Sequence, residues 1–109
     1  MPYNEELESR ISQAVKDWEH TDVKNMFGGI CHLINGNMFG GVYKDSLILR
    51  LGAETAEHAL SQPNVRPFDI TGKPMKGWVM VDSGGYASDE DLMSWLDRAK
   101  ECALNLPKK

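Results

Sequence analysis

Cys31 and His32 stand side by side in the stretch KNMFGGICHLINGNMFGGVYKD, and a thiol beside an imidazole is a pairing that metal sites and thiol catalysts use. Their spacing argues against both. The stretch reads as β-structure, where successive side chains point to opposite faces, so the two groups diverge instead of meeting at one ion or one proton. His20 and His58 fall near the ends of predicted helices without ligand spacing, and solvated or capping roles suit them better than zinc, which needs three or four clustered ligands. Cys31 and Cys102 belong to no Cys-x-x-Cys pattern and read as reduced, buried small hydrophobes. No Ser, His and Asp set can be recognised from residue order, and the acidic run Asp89, Glu90, Asp91 suits the positive end of a helix dipole. The sequence names no catalytic, cofactor-binding or metal-binding residue.

A second group could bind without catalysing. Arg66, Lys73, Lys76 and Trp78 cluster in a turn-rich stretch opposed only by Asp69, and cations beside an aromatic ring can hold an anion or a stacked base. Solvated loop lysines are the commoner outcome of such a composition. Gly72-Lys73 is not a phosphate-binding loop, because Pro67 stands where the earlier glycine is required and Pro74 follows the lysine.

The elements that must position these groups follow from periodicity. Leu7, Ile11, Ala14, Val15 and Trp18 recur at helical spacing and predict a helix over residues 5 to 19, capped by Asn4. Ser88 with Asp91 resembles a capping box, and it opens a helix that buries Leu92, Trp95, Leu96, Ala99, Ala103 and Leu106 before Pro107. A short helix is expected over residues 53 to 61, and short strands around Phe68 to Thr71 and Trp78 to Asp82, joined by a turn at Gly72-Lys73-Pro74. Asn35-Gly36 is the strongest hairpin signal, since both residues tolerate the positive φ of a type I′ turn. A two-residue loop there pairs Leu33 with Met38, His32 with Phe39 and Cys31 with Gly40. A second reversal at Lys44-Asp45 pairs Val42 with Leu47 and Gly40 with Leu49. Val23 to Phe27 supplies a further short strand. The paired glycines of the two Met-Phe-Gly-Gly copies then mark a bend, a bulge or a close backbone approach in a coiled sheet.

That register gives one apolar face, with Cys31, Leu33, Met38, Val42, Leu47, Leu49 and Leu51 turned to the core. The other face carries Ile30, His32, Ile34, Phe39, Tyr43, Ile48 and Arg50, too apolar for free solvent exposure. Two arrangements satisfy it: an interface with a protein partner or a second copy, or cover within the chain by the first helix or a terminal segment.

Composition bounds the class. The 109 residues suit a single domain, 1–109; hydrophobic residues are 41% and charged residues 26%, the ordinary globular range. A formal net charge of −4 disfavours nucleic acid as a partner held by the overall field. The start MPYNEELESR lacks the basic and apolar runs of an export signal, and no stretch approaches a bilayer span, so a cytoplasmic location and no membrane partner are expected. The element order predicts an α+β two-layer sandwich with a mostly antiparallel sheet, α-β-β-β-α-β-β-α.

KNMFGGICHLINGNMFGGVYKDSLILRLG, VRPFDITGKPMKGWVMVD and SDEDLMSWLDRAKECA, taken in order over roughly residues 5 to 105, resemble the TfoX amino-terminal domain family. The resemblance implies a secretion-chaperone-like two-layer fold of helix, three strands, helix, two strands and helix. It also implies a regulatory setting, because full-length TfoX or Sxy proteins regulate competence genes together with the cyclic-AMP receptor protein. Those proteins carry a second, carboxy-terminal domain, whereas this chain reaches only Lys109 and is expected to be a stand-alone domain. The family brings no catalytic residue set to carry over. The reading on sequence is a non-enzymatic protein-interaction or regulatory accessory module. Anion or nucleic-acid binding through Arg66 to Trp78, or a small-molecule enzyme with an unrecognised site, is the alternative.

Overall fold

Asn4 caps the first helix as its side chain requires: Oδ1 accepts the Leu7 N–H at 3.0 Å, and Glu5, Glu6 and Glu8 crowd the positive end of the dipole. In this computed structural model, which describes residues 3–26, 28–69, 72 and 75–107 and only the backbone of Met26, that helix is α1 (Glu5–Val15). It stops short of residue 19, and Trp18 lies in the following turn, its N–H on the Val15 carbonyl at 2.9 Å. Next come β1 (Thr21–Met26), β2 (Gly29–Ile34), β3 (Asn37–Tyr43), β4 (Ser46–Arg50), α2 (Ala53–Ala59), β5 (Val65–Pro67) and β6 (Trp78–Val81). The chain closes with α3 (Ser83–Tyr86) and α4 (Asp89–Leu104), the latter opened by Ser88 Oγ accepting the Asp91 N–H at 3.1 Å.

The described strands form one antiparallel sheet in the order β1-β2-β3-β4-β6-β5. Leu7, Ile11 and Val15 of α1, Ala56 and Ala59 of α2, Tyr86 of α3 and the buried side of α4 join a single core cluster with Phe39, Val42, Leu47, Leu49, Val79 and Val81. The four helices of the described residues therefore share one side of the sheet. This is the α+β two-layer sandwich expected, with the further short strand present as β1, starting two residues earlier than Val23, and α3 added to the predicted order. Asn35 and Gly36 take positive φ of 54° and 82° at the first reversal, and Lys44, at 54°, does so at the second. Strand β5 lies just before the predicted segment, of which Ile70 and Thr71 fall outside the described residues, as do Lys73 and Pro74 of the expected turn. Past Pro67 the chain folds back, and the Phe68 carbonyl accepts the Met75 N–H at 2.8 Å.

The hairpin register holds only at its tip. Ile34 pairs with Asn37 and Leu33 with Met38, but the ladder then shifts, so His32 faces Gly40, Cys31 faces Gly41 and Ile30 faces Val42. Phe39 is the extra residue of this β-bulge, and a bulge re-aims its side chain. Phe39 points into the helix layer, where it is 0% exposed, with its ring 5.4 Å from Trp18 and 6.1 Å from His32. Burying a ring this completely contributes about 1.5–3 kcal/mol, which outweighs the roughly 0.5–1.5 kcal/mol of one ladder bond lost at the bulge. On the β3–β4 side the expected pairs Val42↔Leu47 and Gly40↔Leu49 are present.

The glycines make the shift sterically possible. A Cβ on Gly41 would collide with the Ile30 carbonyl oxygen, one on Gly29 with the Val42 carbonyl oxygen, and one on Gly40 would stand 2.8 Å from that of Ile48. Neighbouring backbones approach too closely here for any side chain.

Candidate functional site: the helix-free face of the sheet

The bulge exchanges half of the two faces that alternation predicts. Ile30, His32, Ile34 and Phe39, expected on the side away from the core, lie on the helix side; Ile34, His32 and Phe39 are buried there and Ile30 packs against the same cluster. His32, Ile34 and Phe39 are thereby closed to a partner, while Ile30 stays partly exposed. His32, 1% exposed, is held by α1: its Nε2 lies 2.6 Å from Glu8 Oε1, and Ser12 donates to Glu8 Oε2 at 3.1 Å. An imidazole expected on the face away from the core is thus a buried polar group satisfied across the helix–sheet interface. Conversely, the register puts Cys31, Leu33 and Met38 on the helix-free side, where burial pushes the Cys31 thiol pKa up.

Of the seven expected interface residues, Tyr43, Ile48 and Arg50 keep their place on the helix-free face. Ile48 is the buried centre of a second, smaller cluster with Phe68 and Met80, and Met38, Tyr43 and Trp78 pack around it partly exposed. Phe68, delivered by the returning loop, meets Trp78 in a tilted contact at 5.6 Å between ring centroids, and Arg50 lays its guanidinium over the Trp78 ring, 5.4 Å from its centroid. Strand pairing explains the stack, since Arg50 and Trp78 are direct cross-strand partners on β4 and β6. Lys44 sits 5.4 Å over Tyr43 at the end of the same face.

Arg66, expected to serve an anion, is already engaged. Its Nε and Nη2 donate to the two carboxylate oxygens of Asp82, both at 2.9 Å, and Nη2 also donates to Ser46 Oγ. The hydrogen bonds from Arg66 and Ser46 hold the Asp82 carboxyl below its ordinary range, and the same Arg66–Asp82 bond raises the guanidinium pKa. Lys76 is exposed on an open groove of about 440 Å³ between α2 and the chain entering β6, beside Leu60, Met75 and Trp78. Lys73 lies outside the described residues. Of the described members of the basic set, Lys76 and Trp78 line the same groove, Trp78 also carries Arg50, and Arg66 is turned to the Asp82 carboxylate. Among the described residues, no three His, Cys, Asp or Glu side chains come together as metal ligands, and no helix is long and apolar enough to cross a membrane.

Sequence reasoning missed Met80, Phe68 and the Ser46–Asp82 contact. Trp78-Val79-Met80-Val81 is apolar throughout, so its sequence does not say which side meets the core; once Val79 and Val81 are placed there, the period of two puts Met80 on the helix-free side. Nothing local marked Ser46 and Asp82, which meet across β4 and the end of β6 at 3.1 Å.

No curated protein and no solved structure matches the chain. A family model does: the one described as the TfoX N-terminal domain covers residues 13–103, which takes in every element from the end of α1 to nearly the end of α4. The chain belongs to the TfoX N-terminal domain family.

Proposed function

We propose that this chain is a protein-interaction or regulatory accessory module that engages a partner protein through the helix-free face. The observation that carries the reading is the Arg50–Trp78–Phe68 group, a cation and two aromatic rings beside the partly exposed Met38 and Tyr43, on a side of the sheet that no helix among the described residues covers. Aromatic, Met and Arg side chains are those enriched at protein interfaces, and a guanidinium already fixed over a ring loses little freedom when it binds. The matching ligand is a protein segment with a carboxylate next to apolar side chains, the carboxylate meeting Arg50 and the apolar groups covering Met38 and Tyr43.

The test uses the wild type, Arg50→Glu and, as a control on the exposed side of α4, Asp97→Lys, each immobilised and offered native-host extract, with bound proteins quantified by mass spectrometry. The reading predicts a partner with an acidic and apolar segment that is retained by wild type and control and lost by Arg50→Glu, whose circular dichroism stays native. Equal retention by Arg50→Glu would contradict it.

A further inference from the structure

The two edges of the sheet are built differently. At β5 the edge is three residues long, contains Pro67, and has Arg66 tied to Asp82, all features that discourage strand addition. At β1 the edge is six residues long, and Thr21 to Asn25 are all exposed, Val23 at 45%.

The direction of the free backbone groups on β1 follows from one bond. The Asn35 N–H donates to the His20 carbonyl at 3.0 Å, one pair beyond Thr21↔Ile34, and hydrogen-bonded pairs alternate along an antiparallel ladder. Residues 22, 24 and 26 therefore turn their backbone groups to β2, while Thr21, Val23 and Asn25 turn theirs outward. A second observation agrees, for the Val23 N–H is met from outside the ladder by the carboxylate of its own neighbour, Asp22 Oδ1, at 2.8 Å.

We propose that β1 pairs antiparallel with β1 of a second copy, about a two-fold axis through Val23, to make one continuous sheet across a homodimer. This goes beyond the helix-free face as a docking surface and does not depend on it. The strand is self-complementary about Val23: Asp22 falls opposite Lys24 of the second copy, Lys24 opposite its Asp22, Thr21 opposite its Asn25, and Val23 opposite its Val23. The outward backbone groups of residues 21, 23 and 25 then meet one another. Asp22 gives up its bond to the Val23 N–H, which the Val23 carbonyl of the second copy replaces, and the freed carboxylate turns to the opposed ammonium. Val23 loses its exposure against its counterpart.

The charges also select the register. Outward groups stay opposed only if the strands slip by two residues at a time, and the two smallest slips set Asp22 against Asp22 or Lys24 against Lys24. Like charges directly opposite destabilise a strand pair, so the arrangement through Val23 is favoured over its neighbours.

Sedimentation equilibrium over a concentration series into the millimolar range, with circular dichroism to confirm the fold, tests this on the full chain. Wild type should show monomer–dimer exchange. Asp22→Lys and Lys24→Asp each put like charges together at both symmetry-related contacts and should weaken the dimer roughly ten-fold. The double variant, Asp22→Lys with Lys24→Asp, restores the complement and should dimerise as wild type does. An equimolar mixture of the two single variants should associate more tightly than either does alone, because all four charges are then opposed. A wild type that stays monomeric throughout overturns the proposal, as does a dimer indifferent to the single reversals or a mixture no more associated than its components.

Discussion

The two faces of this sheet use similar residues for different ends. On the helix side, Phe39 and His32 are fully enclosed beneath Trp18 and α1, and His32 is satisfied by Glu8. On the other side, Arg50 and Trp78 form a comparable stack of a basic group and an aromatic ring with no helix above it. The difference lies in what a substitution removes. Enclosed groups are coupled to folding through packing and desolvation, whereas the open pair contributes little to folding and presents its chemistry outward.

Substitutions ordered by size sharpen that contrast. Phe39→Ala should cost about 3–5 kcal/mol in urea unfolding, because it empties the centre of the helix-side core. Gly41→Ala should cost about 1–3 kcal/mol, since its Cβ must displace the Ile30 carbonyl. Glu8→Ala should cost about 1–3 kcal/mol by leaving His32 buried without its partner. Glu8→Gln, which keeps an oxygen within reach, should recover most of that loss.

Asp82→Asn should cost no more than about 1 kcal/mol at neutral pH, because Asp82 and Arg66 are both partly exposed and solvent screens the pair. The Asp82 carboxyl is held lower in the folded than in the unfolded protein, so its contribution is complete above the usual carboxylate range. It disappears as pH falls through the folded value, and the wild type and Asp82→Asn should converge in strong acid. On a similar scale, Arg50→Ala should change stability by about 0.5–1 kcal/mol, that of an exposed cation–π contact, while abolishing the proposed partner capture.

The fold was legible where sequence signals had no rival. Asn4 and Ser88 caps, the Asn35-Gly36 reversal, and the Leu47, Leu49 and Leu51 side of β4 all stand as expected, since each depends on local chemistry or on an unambiguous alternation. Strand β2 was not legible. Ile30 and Ile34 on one side and Cys31 and Leu33 on the other are equally apolar, so burial alone could not choose between them, and the only polar residue of the strand, His32, argued for the wrong side. The partner that reverses that argument, Glu8, is distant in the chain and sits on α1 beside the buried stripe of Leu7 and Ile11. The bulge at Phe39 was announced by Gly40-Gly41, but glycine reports that a backbone departs from regularity without saying in which direction.

Nuclear Overhauser contacts from the Phe39 ring test the division of the two faces most directly. The account predicts cross-peaks to the rings of Trp18 and His32, whose centroids lie 5.4 Å and 6.1 Å away. Cross-peaks to Tyr43, Ile48 and Trp78 in their place would put Phe39 on the helix-free side and contradict it.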